Sequence, residues 1–323
     1  MIYKNLNDLF EQYDSFLIDV YGVLYNGSNF FDGTLDLLKK MKYHKKRLII
    51  LSNTTLIGDV CKKRYFAKGL IENVHYDEFL SSGEAFKQTS KNYLQNSKNY
   101  FEIFENGSEV FEGSDFKKVD SIDKADFVYV GYLNVEKFYT VDNLKTKFGN
   151  DIAIEDMFKT DIHDINGFEK IAETLDLCLK FDKTLVVVNP DIFALELVGN
   201  SKRPVLCQGA AGEFYERMGG KVLYFGKPYP TIYDFGKKYL DGCQKTAMIG
   251  DTLWTDILGG NMAGVDTILT LTGVSGQFFK NMPTDLSVEE KMKKLMSEIS
   301  SKMTHKDLLG FSQEPNYIIE SFA

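Results

Sequence analysis

Short apolar runs that stop abruptly on polar residues recur along this chain of 323 residues. Phe16 to Ile18 end on Asp19, Leu48 to Leu51 end on Ser52, Asn53, Thr54 and Thr55, and Thr246 to Ile249 end on Gly250 and Asp251. Unbroken runs of this length are expected of strands buried on both faces of a parallel sheet. Between the first two, residues 34 to 45 carry Leu35, Leu38 and Met41 at helical spacing and close on the basic run His44 to Arg47, which suits the negative end of a helix. Strand, helix and strand make a βαβ unit with a right-handed crossover, so Asp19 and Ser52 are predicted to leave the sheet along one edge. Ligands of open α/β sheets bind at that edge.

The pattern predicts further elements. Residues 5 to 13 read as a short helix, and a helix follows the hydroxyl and amide donors after Leu51, over about Leu56 to Lys68. From about Tyr93 the segments become shorter and more aromatic, with strand-like stretches at Tyr100 to Phe104, Phe127 to Tyr132 and Thr184 to Asn189, and a helical pattern from Gly167 to Leu179. Residues 95–207 are therefore expected to form an inserted α/β unit, leaving 1–94 and 208–323 as a discontinuous core. Beyond the insert, Gly209 to Met218 reads as helix, Val222 to Phe225 as a strand running into Gly226 and Lys227, and 231–240 as helix. Thr267 to Leu271 completes a doubly wound parallel sheet, 287–303 is a surface helix, and Tyr317 to Ser321 adds a last short edge element.

Composition narrows the function. A hydrophobic content of 44% with 26% charged residues is ordinary for a globular protein, and a net charge of -8 argues against a nucleic-acid partner, which needs basic excess. The N-terminal stretch lacks an apolar core of signal-peptide length and no apolar run approaches a membrane span, so a cytoplasmic protein without a membrane partner is expected. Four scattered cysteines without a CxxC pair are expected to be buried free thiols.

The strand ends carry the candidate chemistry. Asp19 could simply terminate its strand, and Ser52 could simply cap the next helix. The other strand ends favour more. Donors ahead of a helix suit an anion. Lys227, framed by Gly226 and Pro228, is a rigidly presented cation, while Asp251 and Asp256, five apart, make a hard-cation site together with Asp19. Three clustered carboxylates repel one another unless a divalent cation joins them, and oxygen-only ligation suits Mg2+. A cation and a lysine facing a carboxylate nucleophile are the equipment of phosphoryl transfer through an aspartyl-phosphate. Asp161, His163 and Asp164, a small polar cluster in the insert, read as a solvated loop.

The segments DVYGVL, LSNT, GKPYP and GDTLWTD, in that order, resemble the four motifs of the haloacid dehalogenase superfamily. The insert, with VVNPD at Val187 to Asp191 and GAAGEFYERMGGKVLYFGKP, resembles the subfamily with a large α/β cap that includes NagD-type phosphatases. This resemblance implies a Rossmann-like core and a Mg2+-dependent hydrolase acting on a small phosphorylated metabolite, with a homodimer formed through the cap. It implies Asp19 as the phosphorylated nucleophile and Ser52, with the backbone of Asn53, holding the phosphoryl oxygens. Lys227 neutralises charge, Asp251 and the backbone carbonyl of Tyr21 ligate the metal, and Asp256 supports the metal or orients Lys227.

Tyr21 departs from the pattern. Superfamily phosphatases usually carry a second aspartate there as general acid and base, help worth roughly 10²–10⁴ in rate. Slow hydrolysis of alkyl phosphates is expected, with aryl or acyl phosphates preferred. Two other readings stay open: a protein that binds a phosphometabolite without turning it over, and a carbon–halogen hydrolase, whose leaving halide needs no proton.

Overall fold

A computed structural model of the chain describes residues 2–104, 108–131, 168–198, 201–300, 308 and 310–323. The chain forms two compact units, one of Met1–Ser52, Gly58–Ser81 and Lys227–Ala323, the other of Asn53–Ile57 and Ser82–Gly226.

With strands numbered in chain order, the first unit is a seven-stranded sheet in the order β1 (Ile2–Asn5), β14 (Tyr317–Ser321), β13 (Asp266–Thr270), β12 (Thr246–Gly250), β2 (Ser15–Ile18), β3 (Arg47–Ser52) and β4 (Glu78–Ser81). Every neighbouring pair is parallel. The central strands are the unbroken apolar runs: Phe16 to Ile18, Leu48 to Leu51 and Ala247 to Ile249 are all buried. Ile18 stands opposite Ile50 on one side and Ile249 on the other. The chain therefore leaves β2, β3 and β12 at one level, which sets Asp19, Ser52 and Asp251 along a single sheet edge. Helix Thr34–Tyr43 makes the first crossover and buries Leu37, Leu38 and Met41. Burying each such side chain stabilises the fold by about 1.5–3 kcal/mol.

The predicted helix at 5–13 is instead β1 followed by 3-10 turns at Leu6–Asp8 and Phe10–Gln12. Asn5 and Asp8 explain it. The Asn5 Oδ1 accepts the Asn7 N–H at 3.0 Å, and the Asp8 carboxylate accepts the Lys4 N–H at 3.1 Å, local bonds that compete with an α-helix. Because β1 pairs with β14, the last strand lies inside the sheet and β1 forms its edge.

The second unit holds a five-stranded parallel sheet in the order β11 (Lys221–Tyr224), β8 (Thr184–Val187), β7 (Phe127–Val130), β5 (Asn99–Ile103) and β6 (Lys117–Lys118). An antiparallel ribbon of β9 (Phe193–Val198) and β10 (Ser201–Leu206) accompanies it. Its core is aromatic, with Phe86 edge-on to Phe111 at 5.2 Å and to Phe225 at 5.0 Å, and Tyr100 stacked on Phe111 at 3.8 Å.

These contacts move both predicted joins. Helix Ser82–Tyr93 supplies Phe86 to the aromatic core, and β11 pairs with β8, so 82–94 and 208–226 belong with the insert instead of the first unit. An apolar run such as Val222 to Tyr224 announces a strand but not the sheet it joins. The second-unit helix of the 167–179 pattern runs over Phe168–Lys180. Tyr132, Gly167 and the cluster Asp161, His163 and Asp164 lie outside the described residues. None of the four cysteines is in a disulfide; three are buried and Cys243 is half-buried. Among the described residues no helix is long and apolar enough to cross a membrane.

Candidate active site

Asp19 directly follows β2, and its N–H donates to the Ile249 carbonyl at 2.9 Å, extending the ladder to β12 by one residue. That bond fixes the backbone from which the carboxylate projects. The carboxylate is buried and receives the Lys227 ammonium at 2.5 Å, while the same ammonium donates to Asp256 Oδ1 at 2.7 Å. Burial pushes the Asp19 carboxyl up to about 7; Lys227 opposes that rise and the charge of Asp256 adds to it. Burial works against a charged Lys227, but Asp19 and Asp256 outweigh it and hold the amine above the usual lysine range.

Asp256 sits in a single π-helical turn, Leu253–Ile257, that follows β12. Such turns aim a side chain off the regular helical path. Its second oxygen accepts the N–H groups of Asp251 and Thr252, each at 3.1 Å, and the Thr252 hydroxyl at 2.8 Å. Asp256 thus closes its own turn with one oxygen and holds Lys227 with the other.

Asp251 is placed from both sides. Its Oδ2 accepts the Val274 N–H at 2.6 Å and its carbonyl accepts the Ser275 N–H at 3.1 Å. Glycines make room for it: a Cβ on Gly22 or Gly273 would collide with the Asp251 carboxylate, and one on Gly250 with Asp256. Gly22 also has φ +79°, where only glycine is at ease. Burial, reinforced by the charges of Asp256 and Asp19, pushes the Asp251 carboxyl well above the carboxylate range.

Oxygens of Asp19, Asp251 and Asp256 lie within 4.8 Å of one another, all three residues buried. One lysine cannot balance three buried carboxylates, and the two raised carboxyls are the mark of that imbalance. The donor set is all oxygen, so the cluster fits a hard divalent cation such as Mg2+.

The remaining predicted residues are placed differently. Tyr21 is 40% exposed, its ring edge-on to Tyr25 at 5.7 Å. Ser52 ends β3, paired in register with Ser81 of β4. Asn53 falls in the second unit, where its amide donates to Asp191 at 3.0 Å and its Oδ1 accepts the Ser82 hydroxyl at 3.2 Å. Its side chain is thereby committed within that unit, and Asp191, from the VVNPD segment, is the residue that commits it. The Val274 N–H, the Thr252 clamp and the room that Gly273 leaves for Asp251 carry no local mark in the sequence.

A parallel sheet with two carboxylates and a lysine clustered at its carboxyl edge, and a second α/β unit inserted in the chain between its strands, defines a two-unit α/β fold of the doubly wound class. The chain belongs to the haloacid dehalogenase-like hydrolases: that family model matches residues 16–117, and a second HAD-hydrolase-like model matches 224–290. Among curated relatives it is 44% identical over 70 residues to human glycerol-3-phosphate phosphatase and 45% identical over 58 residues to the ribonucleotide monophosphatase NagD of Escherichia coli K12. Those matches take in 21% and 18% of this chain and span only 22% and 23% of the relatives' own length. A haloacid dehalogenase-like hydrolase of Brucella suis superposes with a TM-score of 0.68 at 21% identity, covering 99% of this chain and 100% of that one. The p-nitrophenyl phosphatase of Archaeoglobus fulgidus superposes at 0.61 with 21% identity, over 96% and 97%. At such identities the likeness is one of fold.

Proposed function

We propose that this protein is a phosphomonoester hydrolase acting on a small phosphorylated metabolite, with Asp19 as the residue that takes the phosphoryl group. The observation that carries this reading is Lys227, buried and donating to both Asp19 and Asp256 beside Asp251. Lys227 holds the Asp19 carboxylate in place and opposes the rise that burial imposes on its carboxyl. Asp256 fixes the direction of the ammonium. Ser52 and the backbone N–H of Asn53 take the phosphoryl oxygens, a part the Asn53 side chain does not share because it serves Asp191 and Ser82. Asp19, Asp251 and the Tyr21 carbonyl, with Asp256 behind them, would hold Mg2+, which supplies positive charge against the phosphoryl oxygens. Activity on phosphate esters is printed in the names of both curated relatives, which supports the class of substrate without fixing the metabolite.

The test is hydrolysis of p-nitrophenyl phosphate and a panel of phosphometabolites with and without Mg2+, for the wild type and Asp19→Asn. Mg2+-dependent release of phosphate that Asp19→Asn abolishes is expected. Tyr21 favours a second reading, in which the site binds a phosphometabolite without turnover; tight binding with no release would establish it. Halide release without metal would point to carbon–halogen hydrolysis instead. The same proposal places the protein in the cytoplasm as a homodimer paired through the cap, which sedimentation at two concentrations checks.

A further inference from the structure

Asp251 and the turn after Asp19 follow different strands, and one short segment, Thr272 to Ser275, touches both. The Thr272 hydroxyl donates to the Gly22 carbonyl at 2.6 Å, the Val274 N–H to Asp251 Oδ2 at 2.6 Å, and the Ser275 N–H to the Asp251 carbonyl at 3.1 Å. Gly273, between them, leaves no space for a Cβ, which would run into the Asp251 carboxylate. Gly22 faces it from the other side: a Cβ there would meet the same carboxylate and lie 3.0 Å from the Gly273 Cα. Two backbones without side chains thus close on one carboxylate, and the Thr272 hydroxyl fastens them together.

The bonds around Gly22 form a set. A threonine hydroxyl has one hydrogen to give. Since that of Thr272 goes to Gly22, the Thr270 hydroxyl donates to Thr272 in the 2.9 Å contact between them. Thr270 is the buried last residue of β13, so this relay starts from the sheet itself. On its other side, Gly22 donates its N–H to the Tyr25 carbonyl at 2.9 Å. The peptide joining Tyr21 to Gly22 is planar, with carbonyl and N–H pointing opposite ways. The Tyr25 bond therefore sets the direction of the Tyr21 carbonyl, and the Thr272 bond holds the peptide that follows.

Resting on the reading of Asp19, Asp251 and the Tyr21 carbonyl as a Mg2+ site, we propose that Thr272 is a positioning residue for the metal. Its hydroxyl clamps the turn that carries the Tyr21 carbonyl onto the segment that holds Asp251, and so fixes the spacing of those two ligands. Mg2+ demands near-ideal octahedral geometry at short distances, whereas Ca2+ accepts a flexible shell of more oxygens. A fixed spacing favours the smaller ion, so the clamp acts on the choice of metal as well as on its affinity.

The experiment titrates wild type, Thr272→Val and Thr272→Ser with Mg2+ and with Ca2+ by calorimetry. Valine keeps the shape and removes the donor; serine keeps the donor. Loss of one hydrogen bond whose acceptor stays behind supports an effect of roughly 3- to 10-fold. Thr272→Val is expected to bind Mg2+ more weakly by that factor, with Ca2+ affinity changed by less than about twofold, and Thr272→Ser to keep the wild-type ratio of the two. Equal losses for both ions, an unchanged Mg2+ affinity, or a wild type that binds neither ion would overturn the proposal. Hydrogen exchange in the wild type reads the clamp without a substitution, should Thr272→Val fail to fold. The Gly22 and Val274 amides are expected to slow by the same factor when Mg2+ is added, and slowing of one alone would contradict the clamp. The phosphatase reading fails differently: a wild type that hydrolyses no phosphate ester, while the Mg2+-to-Ca2+ ratio falls in Thr272→Val, ends that reading and leaves the clamp standing.

Discussion

Replacing Lys227 with Met removes the cation shared by Asp19 and Asp256 and puts an apolar side chain of similar length in its place. The ammonium is buried and sits 2.5 and 2.7 Å from the two carboxylates, so the substitution strands two acidic groups in the interior. Breaking a buried ion pair by deleting one partner costs about 3–5 kcal/mol. The cost depends on pH in a way the site dictates. The Asp19 carboxyl titrates at about 7 in the folded protein against an ordinary 3.8, so its protonated form stabilises the fold below pH 3.8, and that contribution is lost as pH rises through about 7. At pH 5.5 Asp19 is already mostly neutral with lysine present, and only the pair with Asp256 is lost; at pH 8 both pairs are lost. Urea denaturation of chelator-treated wild type and Lys227→Met is therefore expected to show the full penalty at pH 8 and a smaller one at pH 5.5. A Lys227→Met protein as stable as wild type at pH 8, or one whose penalty does not change with pH, would refute the placement of the lysine between two ionised carboxylates.

Four further outcomes are expected. The stability of the chelated wild type falls between about pH 4 and pH 7, as the raised Asp19 and Asp251 carboxyls require, and added Mg2+ offsets the fall; thermal denaturation with and without Mg2+ across that range checks it. Mg2+ binding releases protons and tightens as pH rises through about 7, which calorimetry in buffers of different ionisation enthalpy measures; Asp251→Asn should bind at least tenfold more weakly, since it loses a charged ligand. Gly273→Ala drives a methyl into the Asp251 carboxylate and should lower phosphatase activity at least tenfold while the circular dichroism spectrum stays native. Phe86→Ala removes an aromatic from the second unit's interior and should destabilise that unit by about 3–5 kcal/mol, read by urea denaturation of the whole protein beside the wild type.

The chemistry at the strand ends was legible because of one physical contrast. An apolar run that can only be a buried strand stops on a residue that must face water or a ligand, and Asp19, Ser52 and Asp251 all stand at such a break. Lys227 was legible through its frame of Gly226 and Pro228. What stayed hidden was pairing. Val222 to Tyr224 reads as a strand wherever it goes, and its choice of β8 depends on long-range contacts that no local pattern carries. β1 and β4, four residues each, were too short to show a period, and the local bonds of Asn5 and Asp8 that favour 3-10 turns over an α-helix leave no mark in the apolar pattern. The part of Asp256 was half legible: its spacing from Asp251 pointed to the cluster, but only the π turn shows that one oxygen serves Lys227 and the other the turn itself.

Acid-quenching the Mg2+-loaded enzyme during turnover of an aryl phosphate, followed by mass spectrometry of its peptides, tests the central claim most directly. The account predicts a phosphoryl group on the peptide carrying Asp19, sensitive to hydroxylamine and missing in Asp19→Asn. Turnover with that peptide unmodified, or with the phosphoryl group on another residue, would contradict it.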